Sequence, residues 1–367
     1  MEKQIKLCMI APVPPPYGGI ANWYNMISDY ICKNEPQIDL STISIAPKKR
    51  ATGGRTVFER VFGSGIEMFR IRKKTKQEIK NGIDVIHMTT SGQLAVIRDI
   101  LLLEMARRYS VPLIYHIRFG RIMNIAQKNS YEWKMIRKAI GYASVTIAID
   151  MRTYDTIKEY IPKANVCYIP NPYNKQKTEK LHVNKEKTIV FVGSVLKEKG
   201  IEELLDAWNH TKHVYPDYIL KVFGPYNAEY YAKLKKTYNQ ERTIFEGERN
   251  HNQILEEIAK AELLVLPSYT EGFPNVLLEA MALKTAIIAT SVGAIPDMLD
   301  DNCGIVIEPR NSEMISKAIS DLLSDEKKRE KITQNAEKRL TNQYDLPVIF
   351  DQYMQLWEKN KREKEFI

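Results

Sequence analysis

The sequence predicts an α/β protein with two doubly wound domains, each built on a parallel sheet covered by helices. Short apolar runs alternate with longer amphipathic stretches in both halves of the chain, which is typical of consecutive βαβ units. The alternation stops at a polar, Lys-rich stretch and then restarts. A length of 367 residues also exceeds the size at which a single core usually stops growing.

The first half contains six predicted strands. Its first apolar run is interpreted as a strand rather than a secretion signal, because prolines follow it without a small-residue cleavage site. Helices are predicted around 19–32 and 101–106, and the strands are 5–11, 38–45, 84–87, 112–116, 145–149 and 166–169.

The second half repeats the pattern after a polar stretch, which we interpret as a linker. Ligands of doubly wound sheets bind outside the carboxyl ends of the strands, so we expect the two domains to face each other across a ligand-binding cleft. The predicted strands are 188–193, 218–224, 243–247, 263–267, 285–290 and 304–307. The predicted boundaries are 1–172 for the N-terminal domain, 173–187 for the linker, 188–345 for the C-terminal domain, and 346–367 for a final helix that could pack back on the N-terminal domain.

The net charge of +9 is unevenly distributed, since residues 1–170 hold 26 Lys and Arg against 14 Asp and Glu, and residues 171–367 hold 28 against 31. A basic half is typical of proteins that bind nucleic acid, anionic lipid or a phosphate-bearing substrate. The sequence has no zinc-finger spacing and no Arg-rich repeat, so we expect no nucleic-acid partner. No apolar run approaches the ~18 residues that span a bilayer, which favours a cytoplasmic protein, with peripheral binding to the inner face of the cell membrane left open.

Two glutamates, Glu271 and Glu279, flank the predicted start of a helix. The run 263–282 indicates a buried strand, a loop from Ser268, and a helix that starts at Pro274, where proline suits the first turn. Such a helix start presents free backbone N–H groups and the positive end of the helix dipole to an anion such as a diphosphate. The backbone N–H groups expected to take part belong to Phe273, Asn275 and Val276.

The segment 271–282 resembles the signature of retaining glycosyltransferase family 4, the glycosyl transferases group 1 of GT-B fold. Its sequence is Glu-Gly-Phe-Pro-Asn-Val-Leu-Leu-Glu-Ala-Met-Ala. The resemblance covers most of the chain and is strongest over residues 188–310. It implies that Glu271 accepts hydrogen bonds from the donor sugar, that Glu279 accepts them from the ribose diol, and that the chain transfers a sugar from a nucleotide-sugar.

The family keeps an Arg and a Lys for the diphosphate in the turn that resembles Phe191 to Gly200 of this sequence. Lys199 matches the lysine, whereas Ser194 stands at the arginine position. Without this arginine, another cation is needed to balance the charge of the leaving group. Lys197 and a basic residue of the first domain are the two alternatives.

In the first domain, the resemblance points to Gly18 and Gly19 after the first strand, to His116 at a strand end, and to Asn171 near the hinge. The family's histidine contacts the donor sugar, and Asn171 is interpreted as structural. The complete prediction names Glu271, Lys199 and His116 as catalytic and Gly18, Gly19, Ser194, Gly272, Phe273, Pro274, Asn275, Val276 and Glu279 as donor-binding.

The sequence contains no Asp-x-Asp motif, so we expect a metal-independent enzyme without a cofactor. The expected donor is a UDP- or GDP-sugar, and the expected acceptor is a glycan or a lipid-linked acceptor, as in bacterial surface-polysaccharide assembly. The stretch 57–76 interleaves aromatic and basic residues, which predicts either contact with an anionic membrane surface or a helix packed on the first sheet. Two other functions remain open: a nucleotide-sugar epimerase of the same architecture and a non-catalytic nucleotide-sugar-binding protein.

Overall fold

The computed structural model describes residues 4–15, 18–46, 57–181 and 183–361, with side chains omitted for helix residues 57–66. The contacts divide the chain into two compact units. Unit 1 comprises Met1–Pro170 and Ile349–Ile367, and unit 2 comprises Asn171–Val348. The prediction of an α/β fold with two parallel sheets is confirmed, since each unit contains a parallel six-stranded sheet.

Unit 1 is built on a parallel sheet with the strand order β2-β1-β3-β4-β5-β6. Its strands are β1 Ile5–Ala11, β2 Ile38–Ser44, β3 Val85–Thr90, β4 Leu113–Ile117, β5 Val145–Ala148 and β6 Val166–Tyr168. Its helices are α1 Gly19–Asn34, α2 Val57–Lys80, α3 Ala95–Arg108, α4 Ile122–Gln127, α5 Tyr131–Tyr142 and α6 Met151–Tyr160.

Every residue of β3 and β4 is buried, because helices cover both faces of a parallel sheet. This explains why the central strands have nearly continuous apolar runs in the sequence. It also means that the polar side chains of these strands, His87 and His116 among them, lie in the interior of unit 1.

Unit 2 is built on a second parallel sheet with the order β12-β11-β10-β7-β8-β9. Its strands are β7 Glu186–Val192, β8 Ile219–Phe223, β9 Thr243–Gly247, β10 Ala261–Leu266, β11 Ala286–Thr290 and β12 Ile305–Ile307. Its helices are α7 Ile201–Thr211, α8 Ala228–Thr237, α9 His251–Lys260, α10 Asn275–Ala282, α11 Ile295–Met298, α12 Ser312–Leu323 and α13 Glu326–Arg339, and a π-helical segment, Leu340–Tyr344, precedes α14, Leu346–Lys359.

The predicted linker 173–187 differs from the structure, because its described residues, 173–181 and 183–187, belong to unit 2. The backbone of Tyr173 exchanges hydrogen bonds with Tyr344 and Leu346 at 2.7 and 2.9 Å. Lys185 donates from its Nζ to the carbonyl of Ala261 at 2.8 Å, and burial lowers its pKa to about 8. The Lys-rich composition suggested an exposed connector, whereas this lysine binds a strand backbone.

The last helix, α14, continues from unit 2 into unit 1, and its residues from Ile349 onward belong to unit 1. There Trp357 is fully buried and donates from Nε1 to Nδ1 of His87 at 3.1 Å. The predicted final helix thus ends at Lys359, and residues 362–367 lie outside the described part of the chain. Among the described residues, no helix has the length and apolarity needed to cross a bilayer.

Candidate functional site

The sheet of unit 2 places the candidate site where its strand order reverses. The chain winds outward from β7 through β8 to β9 on one side, and from β10 through β11 to β12 on the other. The carboxyl ends of β7 and β10 therefore flank the switch point, where ligands of open α/β sheets bind. Lys199 follows β7 and Glu271 follows β10, so both predicted catalytic residues of unit 2 lie in the loops that follow these two strands.

Lys199 and Glu271 form an ion pair. The Nζ of Lys199 lies 2.6 Å from Oε1 of Glu271, and the side chains are 30% and 12% exposed. The buried Ser268 donates from Oγ to the same Oε1 at 2.7 Å. Because both contacts fall on Oε1, the second carboxylate oxygen can accept a hydrogen bond from a ligand hydroxyl.

The loops that carry the pair are fixed against each other through backbone contacts. The N–H of Tyr269 donates to the carbonyl of Glu198 at 2.9 Å. Gly200 has φ +70°, and a Cβ at this position would lie 2.0 Å from the carbonyl oxygen of Pro267. Only glycine permits this approach, so the backbone brings the Lys199 loop close to the loop after β10.

A second glycine holds the Glu271 loop from the other side. Gly293 has φ +57°, and a Cβ there would lie 2.4 Å from the carbonyl oxygen of Glu271 and 2.6 Å from that of Gly272. The next residue, Ala294, donates its N–H to the carbonyl of Gly272 at 2.9 Å. The position of Glu271 thus depends on backbone contact with the loop after β11.

The helix α10 begins one residue later than predicted. Pro274 is the N-cap residue with extended backbone angles, φ −76° and ψ 107°, and the helix starts at Asn275. No side chain caps this end. The side chain of Asn275 instead accepts a hydrogen bond from Nδ2 of the buried Asn171 at 3.2 Å. The N–H groups of Asn275 and Val276 are therefore not capped by a side chain, and such a helix end stabilises an anion.

Phe273 anchors the loop before α10. Its ring is 9% exposed and lies 5.9 Å from the ring of Tyr344, centroid to centroid. This packing makes the Phe273 side chain part of the core of unit 2, and only its backbone is suited to a ligand contact.

Glu279 lies on the second turn of α10, and its side chain is 12% exposed. Burial raises the pKa of Glu279 to about 7, and the charge of Lys177 partly opposes this shift. The Nε2 of His251 lies 3.8 Å from Oε1 of Glu279, while burial and Lys177 lower the pKa of this histidine. Glu279 therefore combines a buried position with a protonation change near neutral pH.

Ser194, which stands at the family's arginine position, follows β7 in the same loop as Lys199. Its carbonyl accepts from the N–H of Leu196 at 2.9 Å, and the preceding Gly193 donates to the carbonyl of Phe223 at 2.9 Å. Lys197 is 62% exposed and lies 3.8 Å from Glu202. Lys199 is thus the cation that the structure pairs with Glu271, while Lys197 is directed to a different carboxylate.

The predicted glycines of unit 1, Gly18 and Gly19, lie at the start of α1. Gly18 has an extended backbone with φ 179°, and a Cβ added to either glycine would meet no atom within 4 Å. The packing of the described residues therefore does not require glycine here. The neighbouring Pro16 and Tyr17 lie outside the described part of the chain.

His116 differs most from its expected role. The side chain is 0% exposed, its Nδ1 lies 3.0 Å from Nε2 of His87, and its Nε2 lies 3.4 Å from Nη1 of Arg118. Burial and the charge of Arg118 hold the pKa of His116 well below its usual value. In this arrangement its ring has no exposed surface for a donor sugar, because β4 is covered on both faces.

The sequence did not identify several residues that shape the site. Lys177 and His251 near Glu279 are single polar residues in weak patterns, and only the fold brings them to α10. Ser268 and Gly293 act through contacts with Glu271 that no spacing in the sequence indicates. Across the parts of the chain that the structure describes, no group of three His, Cys, Asp or Glu side chains has a geometry suited to a metal ion. The absence of a metal requirement stays a prediction.

Comparisons with known proteins show which sequences and folds this chain resembles. Residues 173–339 match the family model described as glycosyl transferases group 1. The chain is 26% identical over 202 residues to the capsular polysaccharide biosynthesis glycosyltransferase CapM of Staphylococcus aureus, a match that covers 52% of each chain.

A second relative is the N,N'-diacetylbacillosaminyl-diphospho-undecaprenol alpha-1,3-N-acetylgalactosaminyltransferase of Campylobacter jejuni. It is 27% identical over 253 residues, which cover 69% of this chain and 64% of the relative. The chain thus spans less than two thirds of the length of both relatives.

Among solved structures, HepE of Anabaena in complex with UDP is similar with a TM-score of 0.72 and 16% identity, over 97% of this chain and all of that chain. At this identity the likeness shows the fold, which extends over both units, and the expected GT-B architecture is confirmed at that level.

Proposed function

We propose that the chain transfers a sugar from a nucleotide-sugar to a glycan or lipid-linked acceptor with retention of anomeric configuration, and the match of residues 173–339 to the glycosyl transferases group 1 model supports this proposal. The observation that carries the proposal is the pair of Lys199 and Glu271, 2.6 Å apart, in the loops at the switch point of the sheet. The named relatives support a role in surface-polysaccharide assembly.

In the proposed complex, the start of α10 and Lys199 bind the diphosphate of the donor. The uncapped N–H groups of Asn275 and Val276 supply fixed donors, and the ammonium of Lys199 supplies charge. Glu271 keeps Lys199 in place and accepts a hydrogen bond from the sugar through its second oxygen. Glu279 accepts hydrogen bonds from the ribose diol.

The reaction breaks the bond between the anomeric carbon and the diphosphate oxygen and forms a bond from that carbon to the acceptor hydroxyl oxygen. The electron pair of the broken bond leaves with the nucleoside diphosphate. A diphosphate oxygen takes the acceptor proton on the same face, which accounts for retention without an enzymatic nucleophile. Lys199 and the dipole of α10 stabilise the charge that develops on the leaving group, without a bound metal ion.

The donor and acceptor classes have separate support. HepE, a structure of similar fold, was solved with UDP, which supports a UDP-sugar as the first donor to test, with GDP-sugars second. The Campylobacter relative is named for a diphospho-undecaprenol acceptor. This name supports a lipid-linked acceptor here, and it favours a reaction at the inner face of the cell membrane.

Unit 1 has a surface that suits such a membrane. A groove of about 820 Å³ between α2 and α3 carries the exposed aromatic side chain of Phe69 together with four cations. Phe69 is 70% exposed, and the cations are Arg72, Lys73, Lys76 and Arg108, the last of which pairs with Glu104 of the same groove at 2.7 Å. An exposed ring among cations is the arrangement expected of a helix surface that binds anionic lipid, so we propose that this groove faces the bilayer.

A thermal-shift screen against UDP-, GDP-, ADP- and dTDP-sugars tests the proposed donor, because a ligand that binds the folded state raises its melting temperature. We expect a UDP- or GDP-sugar to raise the Tm by several degrees. Incubation of the best donor alone, followed by analysis of the sugar, then separates the alternatives, since an epimerase converts the donor without an acceptor. If none of the four donors changes the Tm, the proposed function is wrong.

A further inference from the structure

A chain of four nitrogen-bearing side chains, three of them fully buried, crosses unit 1 at β3 and β4. Trp357 Nε1 lies 3.1 Å from His87 Nδ1, His87 Nε2 lies 3.0 Å from His116 Nδ1, and His116 Nε2 lies 3.4 Å from Arg118 Nη1. The chain therefore contains three contacts between neighbouring nitrogens.

The number of hydrogens in this chain exceeds the number of contacts. The indole of Trp357 and the guanidinium of Arg118 are donors only. Burial and the charge of Arg118 lower the pKa of His87 to about 3 and that of His116 well below 6.5, so each imidazole is neutral and carries one hydrogen. The four groups direct four hydrogens toward three contacts, and one contact must bring two donors together.

The distances indicate which contact has two donors. The first two contacts have ordinary hydrogen-bond lengths, whereas the contact between His116 and Arg118 is the longest at 3.4 Å. Trp357, His87 and His116 are fully buried, while Arg118 is partly exposed. Trp357 therefore donates to His87, His87 donates to His116, and the hydrogen of His116 is on Nε2, facing the guanidinium.

Arg118 is held in this position without a carboxylate. Its guanidinium lies 4.7 Å from the ring centroid of the buried Trp23, and its backbone N–H donates to the carbonyl of Thr90 at 3.1 Å. Its Nε is buried and has no hydrogen-bond partner among the described residues, and no Asp or Glu there lies within ion-pair distance of it. A cation fixed on a tryptophan face with an unpaired donor is suited to an oxyanion.

We propose that Arg118 and the Nε2–H of His116 form a binding site for a phosphoryl group at the carboxyl edge of the unit 1 sheet. A phosphate oxygen accepts from both donors and replaces the unfavourable contact between them with two charge-assisted hydrogen bonds. Because His116 is fully buried, Arg118 must turn away from Nε2 for the oxygen to enter. The choice of phosphate among oxyanions rests on the proposed function, in which donor and acceptor both carry diphosphates.

The arrangement gives His116 a function that differs from contact with a donor sugar. His87 and Trp357 fix the tautomer of His116, so α14 positions the phosphoryl site through two hydrogen bonds.

Nitrogen NMR of the full chain with ¹⁵N-labelled histidine tests this site, with inorganic pyrophosphate as the probe. We expect His87 and His116 both to carry their hydrogen on Nε2 at neutral pH, and pyrophosphate to shift the Nε2 resonance of His116. The affinity for pyrophosphate that this shift reports should fall by about 10- to 100-fold in Arg118→Met, the usual consequence of losing a charged hydrogen-bond partner.

Two further variants separate this site from the donor site. Arg121, three residues along, pairs with Glu132 at 2.5 Å, so Arg121→Met should leave the response unchanged. Lys199→Met alters only the proposed donor site in unit 2, and the His116 response should persist there. A response that disappears in Lys199→Met and persists in Arg118→Met would overturn the inference and leave the proposed function standing.

The source of the phosphate is decided by repeating the titration with UDP and with farnesyl diphosphate. A shift of the His116 resonance with UDP assigns the site to the donor, and a shift with farnesyl diphosphate assigns it to a lipid-linked acceptor. If neither compound moves the resonance, or if His116 carries its hydrogen on Nδ1, the inference is wrong.

Discussion

The Nζ of Lys199 lies 2.6 Å from Oε1 of Glu271, and Ser268 donates to the same oxygen. Glu271 thus pairs with the cation that we assign to the donor diphosphate, and it fixes the direction of the ammonium before a ligand binds. A lysine kept in place in this way needs little reorganisation when negative charge develops on the leaving group.

The first prediction concerns Lys199. Lys199→Met should lower kcat/KM by about 100- to 1,000-fold, the usual cost of losing one electrostatic contact to a transition state. Lys199→Arg should recover part of the activity, because the charge is kept. Steady-state transfer assays measure both. Lys187→Met, which removes an exposed lysine paired with Asp217, should behave as wild type, and equal losses in the two methionine variants would contradict the assignment.

The second prediction is a pH dependence set by Glu279. Its folded-state pKa is raised from 4.5 to about 7 by burial, so the folded chain binds more protons than the unfolded chain between these values. The free energy of unfolding contributed by this group therefore falls as pH rises from about 4.5 to 7. Glu279→Gln should remove that part of the pH dependence, as denaturant titrations at pH 5 and pH 8 can measure.

The same shift affects donor binding. If the ionised carboxylate binds the ribose diol, the ionised fraction and hence the affinity should rise about 10-fold between pH 6 and pH 8 for a group of pKa near 7. UDP-glucose is a suitable probe because its diphosphate diester does not titrate in this range. A flat pH profile in wild type, or an equal profile in Glu279→Gln, would argue against the ribose contact.

The third prediction concerns Gly293. Gly293→Ala places a methyl group against the carbonyls of Glu271 and Gly272, so it should displace the Glu271 loop and weaken donor binding by at least 10-fold. Gly82→Ala is the matched control, because Gly82 also has a positive φ of +78° but open space around it. The control should lose only about 1 kcal/mol of stability. Unchanged donor affinity in Gly293→Ala would show that the loop position is not critical.

The fourth prediction concerns the groove between α2 and α3. Flotation with vesicles that contain anionic lipid should recover the wild-type chain at low salt and less of it at high salt. Lys73→Glu with Lys76→Glu should abolish recovery, whereas Lys327→Glu with Lys328→Glu on α13 of unit 2 should leave it unchanged. Equal recovery of both double variants would remove the support for membrane contact.

The sequence predicted most of the fold because buried parallel strands have continuous apolar runs and the helices between them are amphipathic. It also predicted functional roles for Lys199, Glu271 and Glu279, since each lies in a motif after a strand of the second sheet, and these roles stay predictions. The packed segment 173–187 escaped prediction, because Lys185 binds backbone carbonyls that are distant in sequence. The contacts of Gly293 and the hydrogen-bond chain through His116 escaped it for the same reason.

The central claim is that the start of α10, Glu279 on this helix and Glu271 in the loop before it bind a nucleotide-sugar. Isothermal titration of the donor that gives the largest thermal shift, into wild type and Glu279→Ala, tests it most directly, with Glu256→Ala on the exposed face of α9 as the control. We predict that Glu279→Ala weakens binding by at least 10-fold and that Glu256→Ala binds as wild type. Equal affinity of Glu279→Ala and wild type would contradict the claim.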